Sequence, residues 1–150
     1  MDNKKMLDEI LKIRDIRNDL VNLNIKEEEK EVLRRSLNYY EDLLNLDITR
    51  NNLNKIEFEN EGIENNIEVI DIPLEMNTNR YNEFIKVDDK ELISIIDNLS
   101  NSITNLNLNY DLKIVLLKSL KEYSFYLHDL NLKRQSNQEL YNEIMESKSI

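Results

Sequence analysis

Asn22-Leu23-Asn24-Ile25 returns 83 residues later as Asn105-Leu106-Asn107-Leu108, and each block is followed at the same distance by a second matched pair. Val32-Leu33-Arg34-Arg35-Ser36-Leu37 corresponds to Val115-Leu116-Leu117-Lys118-Ser119-Leu120. Across 22–47 and 105–130 ten positions are identical. The stretch before each block agrees independently: Ile10, Ile13, Ile16 and Leu20 map onto Ile93, Ile96, Leu99 and Ile103. Self-similarity at a fixed offset marks a repeated supersecondary unit, and one helical hairpin cannot bury its own apolar face without a second. The expected fold is therefore mainly α, a helical bundle built from two copies of a helical hairpin, about 5–47 and 88–130.

The helix signals inside each copy are periodic. Met6, Leu7, Ile10, Ile13, Ile16, Leu20 and Val21 recur at three- and four-residue steps, which puts them on one face, while Lys12, Asp15 and Asp19 fall on the other. Asn24 followed by Glu27 has the spacing of a capping box, and Glu27, Glu28 and Glu29 load negative charge where a helix N-terminus favours it. A second helix is thus expected from near Ile25 to about Leu46, with Val32, Leu33, Leu37, Tyr40 and Leu44 facing the core. In the second copy Leu112, Ile114 and Leu117 replace Glu29, Glu31 and Arg34. The helix near 110–130 is apolar around much of its circumference, which suits a central position better than an oligomer contact.

Between the copies lies an acidic connecting segment, 48–87. Leu53, Ile56 and Phe58 suggest a short third helix over Thr49–Asn60, ended by Gly62. Ile67-Glu68-Val69-Ile70-Asp71-Ile72 precedes Pro73, and Tyr81-Asn82-Glu83-Phe84-Ile85-Lys86-Val87 follows a polar turn. Two readings stand open there, a small β-hairpin or a docked loop. Asp88 with Glu91 predicts a cap for a helix near 89–104, and Ser136 with Glu139 predicts one for a short C-terminal helix carrying Leu140, Ile144 and Met145.

Composition bounds the class. The 150 residues fit a single helical domain, with enough Leu, Ile and Val among its 40% hydrophobic residues to fold. Twenty-three asparagines stand beside no alanine, one glycine and one proline, the signature of an AT-rich gene. There is no cysteine, hence no disulfide, thiol nucleophile or zinc-finger spacing. The opening Met1–Glu9 reaches acidic residues before any apolar run, and no stretch approaches the ~18 apolar residues a membrane span needs. Both features argue for a cytoplasmic protein and against a membrane partner.

Motifs for chemistry are missing. One glycine cannot build a phosphate-cradling loop or dinucleotide fingerprint. The lone His128 lacks companion nitrogen or sulfur ligands, and no calcium-loop pattern surrounds Gly62. No catalytic residue, metal site or cofactor is expected. Val32-Leu33 with Ser36 is faintly similar to the second helix of the short helical-hairpin phosphatases that act on sporulation response regulators, where Val-Leu is followed by Ser-Gln-x-Leu-Asp. Both copies here lack that Gln and Asp, so the resemblance implies a shape and not an activity.

Charge offers the one functional pointer. The net charge is -10, and Glu41 to Glu75 holds ten acids against two bases, a local balance of -8. Such a field repels nucleic-acid backbones and anionic membranes and attracts basic partners. The leading expectation is a non-enzymatic acidic helical protein-binding module, of the inhibitor or immunity type, that engages a basic protein surface through Glu57, Glu59, Glu61, Glu64 and Glu68. The alternatives are a structural homo-oligomer assembling through the apolar helix near 110–130, and a small helical regulatory enzyme or phosphotransfer regulator.

Overall fold

A computed structural model of the chain describes residues 1–60, 69–70 and 89–148; of residues 57–60 and 89 it describes the backbone alone. The described part is an all-α bundle of four helices, α1 (Asn3–Asp19), α2 (Glu27–Asn60), α3 (Asp89–Ser102) and α4 (Tyr110–Lys148). At a rise of about 1.5 Å per residue, α2 and α4 are roughly 51 and 58 Å long against about 26 Å for α1. The two long helices therefore outrun the short ones. The possible β-hairpin over 66–87, and the Asp88 cap, lie outside the described residues, Val69 and Ile70 excepted.

Short turns of closely similar geometry close both hairpins. A single 3₁₀ turn at Leu20–Asn22 ends the α1 side, and another at Ile103–Asn105 ends the α3 side. Leu23 then extends at φ -75°, ψ 137°, and Leu106 at φ -73°, ψ 145°. The Leu23 N–H donates to the Leu20 carbonyl at 3.2 Å and the Leu106 N–H to Ile103 at 3.1 Å. Lysines satisfy carbonyls left over by the turns: Lys30 Nζ donates to Val21 O at 3.1 Å and Lys113 Nζ to Thr104 O at 2.8 Å.

The start of α2 differs from the sequence reading by two residues. Asn24 does not cap α2. The helix begins at Glu27, and the Glu29 carboxylate reaches back to the Lys26 N–H at 3.0 Å, one half of a capping box. At the equivalent start of α4, Asn109 Oδ1 accepts from the Leu112 N–H at 3.0 Å.

Two expected breaks are absent. The separate third helix over Thr49–Asn60 is the continuation of α2, and the short C-terminal helix at Ser136 is the continuation of α4. Neither junction contains Gly or Pro, and Asn or Ser inside a helix costs only a few tenths of a kcal/mol per residue relative to good helix formers. Ile48 is fully buried across the first junction, and it fixes the register there. Across the second, Lys133 pairs with Asp129 at 3.0 Å and Gln138 bonds Asn142 at 3.1 Å, both one helical turn apart.

The core is one cluster drawn from all four helices. Met6, Ile10, Ile13, Ile16 and Leu20 of the first strip meet Val32, Leu33, Leu37, Tyr40 and Leu44 of α2, then Leu92, Ile96, Leu99 and Ile103, then Val115, Leu116, Leu120, Tyr123 and Leu127 of α4. Val21, expected on the buried face, is exposed because the 3₁₀ turn breaks the 3.6-residue period after Asp19. The most extensive contact is between α2 and α4. Ser36 and Ser119 are both fully buried, and small residues of this kind let helices approach closely.

Candidate functional site

The five glutamates expected to meet a partner begin where α2 ends. Glu57 and Glu59 fall in its last turn, with backbone alone described, and Glu61, Glu64 and Glu68 lie outside the described residues. No geometry among the five is therefore available to assemble a site. Among the described residues, several arginines are committed to buried carboxylates.

Arg17 and Glu41 form the deepest charged pair. Arg17 occupies a position on the apolar stripe of α1, between Ile13 and Leu20, so helical geometry turns its guanidinium inward. Its Nη2 lies 3.1 Å from Glu41 Oε1, and its Nη1 donates to Asn38 Oδ1 at 2.8 Å. Arg14 reaches the same Glu41 oxygen at 3.2 Å. A second buried carboxylate, Glu31, is held by Arg34 Nη2 at 2.7 Å and by Arg35 Nε at 2.8 Å. Charges taken from water need this degree of pairing, since an uncompensated buried ion costs several kcal/mol. The acidic count in the sequence did not single out Arg17 or Glu31. The signal was present, a charged residue at an in-phase position of an otherwise apolar stripe.

Glu9 joins three helices. The Tyr40 hydroxyl of α2 donates to its Oε2, and Lys118 Nζ of α4 donates to its Oε1 at 3.0 Å. Burial, and then the Glu9 carboxylate, push the Tyr40 phenol well above its ordinary value. Tyr123 occupies the matching place on α4 with a cation as its neighbour. Burial raises its phenol, and the hydrogen-bonded Arg35 guanidinium opposes the rise. Tyr39, raised by burial and by Glu122, stacks obliquely between Tyr123 and Tyr126 at centroid distances of 5.8 and 4.8 Å.

Hydroxyls that could serve as nucleophiles are otherwise engaged. Ser36 Oγ donates to the Val32 carbonyl and Ser119 Oγ to the Val115 carbonyl, each at 2.8 Å. His128 is exposed on α4. Among the described residues no three His, Asp or Glu side chains gather as metal ligands, and no helix is long and apolar enough to cross a membrane. A groove of about 510 Å³ runs beside α2, lined in part by Met6, Tyr40, Leu44, Arg50, Asn51 and Glu122. Another, of about 560 Å³, lies between the two interhelical turns, with Lys26, Glu29, Asn105 and Leu106 on its walls.

The chain matches no family model, no curated protein and no solved structure in the comparisons made.

Proposed function

We propose that this chain is a non-enzymatic, acidic helical module that binds a basic protein surface, in the manner of an inhibitor or immunity factor. The observation that carries the reading is the internal use of its cations. Arg14, Arg17, Arg34 and Arg35 are turned onto the buried carboxylates of Glu41 and Glu31, and the half-exposed Lys118 pairs with Glu9. The chain as a whole has a net charge of -10, and the segment from Glu41 to Glu75 has a local balance of -8 in the sequence. A field of that sign accelerates encounter with a basic partner and is screened over a Debye length of about 8 Å at physiological salt.

The same reading treats the bundle as a duplicated hairpin. Turns, lysine-bonded carbonyls, buried serines and core tyrosines recur at an offset of 83 residues, supporting descent of both halves from one unit. A second functional reading, self-association, draws support from the far end of α4, where Leu140, Tyr141, Ile144 and Met145 are exposed on one face. The helix near 110–130, the other candidate for that contact, buries Val115, Leu116, Leu120, Tyr123 and Leu127 and leaves Leu117, Phe125 and Tyr126 exposed.

Capture from the native host at low and at high salt tests the proposal. Wild-type protein should retain a basic partner that elutes as salt rises. A variant with Gln at Glu57, Glu59, Glu61, Glu64 and Glu68 should bind more slowly and lose that salt dependence, with an unchanged melting temperature. Equal capture by both proteins at every salt concentration would sink the reading.

A further inference from the structure

Asn52 makes two hydrogen bonds of an unusual kind for a helix surface. Its Nδ2 donates to the Ile70 carbonyl at 2.9 Å, and the Ile70 N–H donates to its Oδ1 at 3.1 Å. One side-chain amide thus satisfies both backbone groups of a single residue, as a neighbouring β-strand would. The amide is itself held in place. Asn3, almost fully buried, donates from Nδ2 to Asn52 Oδ1 at 3.1 Å, and Asn51 Nδ2 donates to Asn3 Oδ1 at 2.8 Å. Every donor in this relay faces an acceptor, so a flipped Asn52 amide would set its NH₂ against both the Asn3 NH₂ and the Ile70 N–H.

We propose that Asn3, Asn51 and Asn52 form a backbone clamp that fastens the connection between α2 and α3 to the end of the first hairpin at Ile70. The clamp reads the main chain and not the side chain, so it is indifferent to which residue stands at position 70 as long as an N–H is present. Three asparagines that look like coding bias in the sequence are here a defined polar device, and Asn3 lies buried because its amide orders the clamp.

Amide hydrogen exchange at Ile70, followed by NMR on the full chain, tests this. In wild type the Ile70 amide should exchange about tenfold or more below its unprotected rate, the effect of one hydrogen bond of ordinary net strength. Asn52→Ala should return it to the unprotected rate while core amides such as Leu33 and Leu116 keep their protection, which also shows that the variant is folded. Asn52→Asp keeps the acceptor and loses the donor, and should give intermediate protection. Ile70→Ala should keep the protection, because the bonds are to the backbone. An Ile70 amide unprotected in wild type, or equally protected in Asn52→Ala, would overturn the clamp, and loss of protection in Ile70→Ala would assign it to side-chain burial.

Discussion

The two hairpins solve the same packing problem with different chemistry. In the first, Arg17, Glu41, Asn38 and Arg14 form a buried ionic and amide network beneath the apolar stripe. At the equivalent places of the second stand Ser100, Ser124, Lys121 and Asp97, and Ser100 spends its hydroxyl on the Ile96 carbonyl at 2.9 Å. Glu31, clasped by two arginines in α2, becomes Ile114 in α4. The difference teaches that the frame, set by the 3₁₀ turns and the leucine and isoleucine layers, does not demand the charges. A buried ion pair and a well-packed apolar substitute are close in free energy, whereas half of such a pair is not.

The largest expected effect follows from that asymmetry. Arg17→Met removes one of the two arginines that hold the buried Glu41 carboxylate, and a buried charge that loses its pairing costs up to about 3–5 kcal/mol. Against a total stability of about 5–15 kcal/mol for a domain of this size, the melting temperature should fall steeply. Ser100→Ala at the equivalent site of α3 removes a local hydroxyl bond and should cost about 1 kcal/mol or less. Arg17→Met combined with Glu41→Leu should recover most of the loss in a thermal melt. Equal losses for the Arg17 and Ser100 variants would show that the ionic network is not what separates the hairpins.

A smaller effect separates the paired tyrosines. Tyr40 and Tyr123 hold matching positions, one beside a carboxylate and one beside a guanidinium. Both phenols are raised in the folded state, so each contributes stability that is complete below about pH 10, the value in the unfolded chain, and is lost as pH climbs through the folded value. Melting temperature should therefore decline above pH 10. Ionised Tyr40 faces the Glu9 charge, while ionised Tyr123 is met by Arg35, so Tyr40→Phe should flatten the alkaline decline more than Tyr123→Phe. Near neutral pH, Tyr40→Phe should cost about 1 kcal/mol for the lost hydrogen bond. Phenolate absorbance and thermal melts from pH 8 to 12 read both quantities.

The same comparisons define what could be read before the fold was known. The repeated Leu23 and Leu106 blocks and the three- and four-residue spacing located four helix segments and nearly every buried aliphatic residue, because burial on a helix imposes its own period. Helix ends were less legible. The stretch between Leu46 and Thr49 and the Ser136–Glu139 capping spacing read as boundaries, yet a helix without Gly or Pro continues when Ile48 can be buried or neighbouring turns can pair. The buried charges were hidden for a different reason. Composition counts Arg17 and Glu41 with the solvated surface, and only their phase relative to Ile13, Ile16, Leu37 and Leu44 turns them inward. Of the five glutamates proposed to meet a partner, Glu57 and Glu59 fall on a described element.

The smallest effect is expected beyond the packed part of α4. Up to Leu127 the helix contributes buried side chains at each turn, but Leu132, Leu140, Tyr141, Ile144 and Met145 are between 45 and 63% exposed. Residues 132–148 extend roughly 25 Å with no buried side chain. Their helicity is propagation from the packed part, aided by local pairs such as Gln138 with Asn142, each worth a few tenths of a kcal/mol. A chain ending at Asn131 should consequently melt within about 0.5 kcal/mol of the full chain, since nothing in the core is removed. Circular dichroism should lose ellipticity in proportion to the deleted turns. The comparison must be repeated at several protein concentrations, because association through an exposed apolar face stabilises by mass action. If the full chain alone melts higher as its concentration rises, the end of α4 is a self-association surface and not a bare extension; concentration-independent and equal melts leave the core of both hairpins, Met6 to Ile48 and Leu92 to Leu127, as the whole source of stability.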